Sequence, residues 1–188
     1  GKLRKRVVQK KPIREVARRI LVVLGGSTTR STVDALIMVL GDIVGAGRSV
    51  LVILGFDSEA SDKQIATITG LGVRLIGATE DIGQYIEWCD IALSASGYLK
   101  YEISALGTPA ILVSIVEHQE ELGKYFTKKT GAARYSGSLT IGNARTIVRS
   151  VNDLLEDKDR RLLMNQRGKQ VLDGRGAERV AQAILCLY

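Results

Sequence analysis

The sequence predicts an α/β fold, a doubly wound parallel sheet of about six strands completed by C-terminal helices, and three observations predict it. Short runs rich in Val, Ile and Leu alternate with amphipathic stretches between residues 20 and 137. Three of these runs are nearly continuous in apolar residues, as strands covered on both faces must be. The length, 188 residues with 45% hydrophobic content and two prolines, suits one substantial core and is too short for two comfortable domains.

The elements follow in order. The strand "ILVVLGG" (20–26) leads into a helical pattern near 30–46, and "SVLVILG" (49–55) into one near 59–69. "GVRLIGA" (72–78) precedes a short helix at 80–88, "DIALSAS" (90–96) a helix at 98–106, and "PAILVSI" (109–115) a helix at 117–129. "GAARYSG" (131–137) is the sixth strand. From about residue 142 the pattern is all helical, punctuated by Asp157 and Asp173-Gly174, and these helices are expected to wrap back over the sheet. Strands alternating with helices of this size imply right-handed βαβ units, hence a Rossmann-like layout. Ligands of such sheets bind outside the carboxyl ends of the strands, so loops 25–30, 77–82, 95–99 and 115–120 are where function is expected.

Charge is unevenly spread. Residues 1–19 hold nine of the 27 Lys and Arg against one acid, Glu15, while the remainder is close to neutral. The chain therefore divides into a basic leader or interdomain linker, 1–18, and a folded domain, 19–188. The leader offers a peripheral contact with an anionic membrane surface; nucleic acid is a disfavoured partner because aromatics are only 5% of the chain. The start at Gly, not Met, suggests a fragment or a processed chain. Cys89 and Cys186 lie in apolar patterns and read as reduced core thiols, which favours a cytoplasmic setting. With His118 the sole histidine, no metal site is expected.

Four loops carry the candidate chemistry. In "LGGSTTRST" (24–32), Gly25 and Gly26 permit close backbone approach, and the hydroxyls from Ser27 to Thr29 cap the next helix, whose free N–H groups attract anions. Neither a dinucleotide fingerprint nor a P-loop is present, so a plain turn stays open beside the anion site. In loop 77–82, Thr79 lies at the mouth of the sheet and Ile82 begins a packed helical face; Trp88 packs, with base stacking as its other reading. In "SASGYLKYEISALGTP" (94–109), Gly97 ends the strand and the amides of Tyr98 and Leu99 follow. Glu102, one turn on, is either a solvated helix acid or an acceptor for a vicinal diol such as a ribose. In the fourth loop Glu117, His118 and Gln119 stand at the end of the fifth strand, His118 being the side chain suited to proton transfer near neutrality.

These stretches, "ILVVLGGS", "DIALSASGYLKYEISALGTPAILV", "EHQ" and "DGRGAERVAQAIL", resemble in order and spacing the UDP-sugar hydrolases of pseudaminic acid biosynthesis and related spore-coat polysaccharide proteins. More distantly they are similar to the N-acetylglucosaminyltransferase that forms lipid II. The resemblance implies one half, the C-terminal nucleotide-sugar-binding half, of a metal-independent GT-B fold, with a UDP-sugar as substrate and no cofactor. It implies that Gly25, Gly26 and Ser27 face the diphosphate, and that Thr79 and Ile82 take the uracil. Gly97 with the amides of Tyr98 and Leu99 would hold phosphate, Glu102 the ribose, and Glu117, His118 and Gln119 the donor sugar. The partner is then an N-terminal half, in this or another chain, carrying the family's catalytic base; His118 is the candidate here. Four positions depart from the pattern: Ser96-Gly97 replaces paired glycines, Tyr98-Leu99 replaces Ser-Thr, and His118 replaces Asn. These departures imply a changed donor or lost activity, and leave the alternative of a non-catalytic scaffold domain that needs a partner chain.

Overall fold

The computed structural model describes Arg6 and residues 11–45 and 47–186. Of the basic leader, Lys2, Arg4, Lys5 and Lys10 lie outside the described residues.

Six parallel strands form the main sheet: β1 (Arg19–Val23), β3 (Ser49–Ile53), β5 (Arg74–Ile76), β6 (Ile91–Ala95), β7 (Ala110–Ser114) and β8 (Ala133–Ser138). They run in the order β5-β3-β1-β6-β7-β8, with Val22 beside Val52 on one side and Leu93 on the other. The chain winds outward from β1 in one direction, then returns to β1 and winds outward in the other. The reversal lies between β1 and β6, and a crevice opens there at the carboxyl edge. Two further strands, β2 (Ser27–Thr28) and β4 (Asp57–Ser58), pair with each other beyond that edge. The sequence pattern gives no hint of them, because a two-residue pairing has no period.

The helices cover both faces. Between the strands lie α1 (Arg30–Ile43), α2 (Asp62–Gly70), α3 (Gly83–Trp88), α4 (Leu99–Ala105) and α5 (His118–Thr130); α6 (Ala144–Glu156), α7 (Lys158–Val171) and α8 (Gly176–Leu185) follow β8. Alternate residues of each strand serve opposite cores. Ile20 and Val22 pack with Val33, Leu36 and Leu40 of α1 and Ile147 and Val151 of α6. Leu21 and Val23 pack on the other side with Ile86, Ile103 and Phe126. Asp157 both ends α6 and caps α7, accepting the Arg160 amide at 2.7 Å. Of the C-terminal helices, α6 and α7 do wrap back, whereas α8 buries no residue and leaves Val180, Ile184 and Leu185 exposed. Cys186 beside it is exposed, so only Cys89 is the expected core thiol. Among the described residues no helix is long and apolar enough to cross a membrane.

The described part of the leader is pinned to the domain. Buried Asp90 accepts the amides of Arg18 and Arg19 at 2.8 and 2.9 Å and pairs with the Arg14 guanidinium. Burial alone would raise its carboxyl pKa, but those amides and the guanidinium outweigh burial and hold it below the usual carboxylate range. Buried Arg161 reaches from α7 to the carbonyls of Arg14 and Glu15, both at 3.0 Å. Lys11 donates at 2.6 Å to the Ile86 carbonyl and to Thr108.

Candidate functional site

A cavity of about 440 Å³ sits at the carboxyl edge where the sheet reverses. It is bounded by the loops after β1, β6 and β7, and Gly25, Gly26, Ser27, Gly97, Tyr98, Leu99, His118 and Gln119 line it together. Eight of the residues singled out from the sequence thus meet in one place. Among the described residues none that lines it is an acid, and Thr29, Thr32 and Ser94 add hydroxyls to the wall.

The first loop is shaped by its glycines. Gly25 has φ +96°, a left-handed conformation that side chains with a Cβ rarely adopt. The Gly26 carbonyl accepts the Asp57 amide at 2.9 Å, and Thr28 repeats the pattern with the Glu59 amide at 2.9 Å. Because a peptide is planar and trans, the Ser27 N–H points away from the Gly26 carbonyl, hence away from β4. The approach of the two loops depends on Gly55: a Cβ there would overlap the carbonyls of both Gly25 and Gly26. Thr29 then caps α1, its hydroxyl accepting the Thr32 amide at 3.3 Å. The carboxylate of Glu59 takes the Arg30 amide at 3.4 Å, so two amides of that helix start are already engaged.

In the third loop the side chains divide sharply. Ser96 is fully buried, and its hydroxyl donates to the Val113 carbonyl at 3.0 Å, so it does not face the cavity. Gly97 has no unusual φ, but the Gln119 amide nitrogen stands 3.8 Å from where its Cβ would be. Tyr98 is 89% exposed and rims the cavity without filling it. The fourth loop is braced by Gln119, whose Oε1 accepts the Ile115 amide at 3.1 Å. His118 opens α5 and borders a second hollow of about 560 Å³ lined by Glu117, Glu120, Glu121 and Lys124.

Four predicted residues lie outside the main cavity. Thr79 accepts the Asp81 amide at 3.2 Å, within a loop clamped by Arg6, which pairs with Asp81 at 2.8 Å and with Glu87. Ile82 packs against the core, as does Trp88, over which the Arg19 guanidinium lies 5.8 Å from the ring centroid. Glu117 faces the acidic hollow instead. Glu102 is half-buried on α4, and burial raises its carboxyl pKa.

Lys100 is the residue the sequence reading missed. It is 3% exposed, and its ammonium donates to the carbonyls of Ser96 and Gly97, both at 2.9 Å. The rings of Tyr101 and Phe126 lie 4.5 and 5.9 Å from it. Burial lowers its pKa from the ordinary lysine value. The signal was present: Lys100 shares the α4 face of Ile103 and Ser104, which puts a cation at a core position.

No protein-family model matches the chain. It is 26% identical over 180 residues to spore coat polysaccharide biosynthesis protein SpsG of Bacillus subtilis, covering 94% of this chain and 52% of that protein. It is 29% identical over 117 residues to the UDP-N-acetylglucosamine--N-acetylmuramyl-(pentapeptide) pyrophosphoryl-undecaprenol N-acetylglucosamine transferase of Rubrobacter xylanophilus, covering 60% and 34%. Among solved structures, WaaG, a glycosyltransferase involved in lipopolysaccharide biosynthesis, superposes with a TM-score of 0.65 at 16% identity, covering 93% of this chain and 47% of WaaG. The fold is that of one half of a GT-B glycosyltransferase, and the chain spans about half the length of SpsG.

Proposed function

We propose that this chain is the C-terminal, nucleotide-sugar-binding domain of a metal-independent GT-B-type glycosyltransferase or UDP-sugar hydrolase that acts at an anomeric carbon. The observation that carries the reading is the cavity itself. Free amides, three glycines and hydroxyls converge at the reversal point of a parallel sheet, with no acid among the described lining residues. Such a wall suits a diphosphate, and amides fixed in advance would stabilise the departing nucleotide diphosphate without a metal or any cofactor. The name of the Rubrobacter relative carries UDP-N-acetylglucosamine, which supports a UDP-sugar as the substrate.

In this reading the amides of Gly26, Ser27, Gly97 and Tyr98 hold the diphosphate. Leu99 contributes apolar wall, Gln119 and His118 face the sugar, and His118 is the candidate proton-transfer group. Glu102 would grip the ribose, and Thr79 with Ile82 the uracil, only for a ligand extending past the cavity along Tyr98. An N-terminal half, in the same or another chain, supplies the acceptor side and the catalytic base, so this domain alone binds and does not turn over.

Calorimetric titration with UDP tests this. Saturable binding is expected, and Ser27→Asp should weaken it by on the order of tenfold or more, because it sets a carboxylate beside the phosphates. Ser27 is exposed, so the fold should be untouched. No binding at millimolar UDP would refute the reading.

The non-catalytic scaffold is kept as a second reading on one observation: Ser96 turns its hydroxyl inward, and Tyr98 and Leu99 offer no aliphatic hydroxyl in its place. Strong UDP binding without any turnover after the N-terminal half is supplied would favour it.

A further inference from the structure

Lys100 takes no part in lining the cavity, yet it is a buried cation directly behind one wall. Among the described residues no carboxylate pairs with it; its partners are the carbonyls of Ser96 and Gly97 and two aromatic rings. Holding two consecutive carbonyls has a geometric consequence. In a planar trans peptide the N–H points opposite to the C=O. With the carbonyls of Ser96 and Gly97 drawn inward to the ammonium, the N–H groups of Gly97 and Tyr98 must turn outward, and these residues line the cavity. Neither amide donates to any acceptor among the described residues. Gly97 is partly buried and Tyr98 exposed at the cavity rim, so both N–H groups stand open to a ligand in the cavity.

We propose that Lys100 is a positioning residue for phosphoryl recognition: by clamping the carbonyls of Ser96 and Gly97 it aims the amides of Gly97 and Tyr98 at an anionic phosphoryl group in the cavity. The ammonium adds a second effect. A donor on the carbonyl oxygen polarises the peptide and strengthens its N–H as a donor. Its positive charge, left without an acid partner, also biases that wall toward an anion. The cavity needs this, since among the described residues none that lines it is a lysine or an arginine. The inference rests on reading the cavity as a diphosphate site, and it adds a residue that touches no ligand.

The test uses the ¹⁵N-labelled protein titrated with inorganic pyrophosphate and, separately, with UDP. In the wild type the amide protons of Gly97, Tyr98, Gly26 and Ser27 should move downfield on titration. In Lys100→Met the Gly97 and Tyr98 responses should vanish while those of Gly26 and Ser27 persist, and affinity for both ligands should fall about tenfold, the size expected for losing one charge-assisted contact. Lys100→Arg, which keeps charge and donors, should restore part of the Gly97 and Tyr98 response, as a merely space-filling role would not. Unchanged responses in a folded Lys100→Met overturn the inference and leave the diphosphate reading standing. A wild type silent to both ligands overturns the diphosphate reading, and the inference with it. Should both variants lose their dispersed spectra, the wild type decides by hydrogen exchange: pyrophosphate should slow exchange at Gly97 and Tyr98, and unaltered exchange there overturns the proposal.

Discussion

Two carboxylates illustrate how burial decides what a residue does. Asp90 is buried but accepts two amides and a guanidinium, so its charge is welcome and its pKa lies low. A group with a depressed folded-state pKa contributes stability above its unfolded value. That contribution is lost as pH falls from about 3.9 through the folded-state value. Asp90→Ala strands the Arg18 and Arg19 amides and should cost about 2–4 kcal/mol by urea denaturation at neutral pH. Glu102 is the opposite case: burial raises its pKa, so its ionised form is disfavoured in the folded chain. Its neutral form contributes stability below the unfolded value, and that contribution is lost as pH rises through the folded value. Glu102→Gln should therefore raise Tm slightly at neutral pH, about 1 °C after allowing for solvent screening, and leave it unchanged near pH 3. If Glu102 grips the ribose, the same variant weakens UDP while sparing pyrophosphate; equal loss for both ligands would contradict that role. Lys100 shows why single residues are hard to read from sequence. A lysine in a helix is ordinarily solvated, and only its place on the Ile103 face betrays it.

At the scale of elements, β1, β3 and β7 are legible because buried parallel strands are written as nearly unbroken apolar runs, and β5, β6 and β8 are legible from their place in the alternation with helical stretches. The predicted run 49–55 is β3 at Ser49–Ile53, and the run 109–115 is β7 at Ala110–Ser114. The helix expected at 30–46 stops at Ile43, where Val44 turns to an extended conformation. What was not legible is how loops approach each other. The β2–β4 pair depends on Gly55, whose role is invisible until the carbonyls of Gly25 and Gly26 are placed beside it. Gly55→Ala should cost about 1–3 kcal/mol and disorder the first loop, lowering UDP affinity in step. Full stability with intact binding would show that the two loops tolerate separation. The loop after β3 was not among those expected to matter, since nothing in "LGFDSEAS" at 54–61 names a function. The 77–82 loop was, yet none of its residues lines the main cavity; it is braced by Arg6 and by the Thr79–Asp81 turn.

For the whole molecule, the sheet order explains why the candidate residues meet. Residues 25–27, 97–99 and 118–119 are far apart in sequence, but each follows a strand that ends at the same edge, two of them at the reversal. A parallel sheet delivers every strand's carboxyl end to one side, so the alternating pattern alone points to the edge where the candidate residues meet. The sequence could not locate the depth of the cavity or the inward turn of Ser96, which depend on side-chain packing between α5 and the loop. Gly123 shows this: a Cβ there would press on Ser96 and Tyr135. The basic leader was open to readings as linker or surface anchor; its described part is tied down through Lys11, Arg14 and Arg161.

On the proposed function, the crevice between β1 and β6 holds a nucleotide diphosphate. A crystal structure of the chain grown with UDP tests it most directly. The prediction is a diphosphate bridging the Gly26–Ser27 and Gly97–Tyr98 amides, with Tyr98 moved aside or lying along the nucleoside. Nucleotide bound elsewhere, or a crevice closed by the Tyr98 ring, would contradict it.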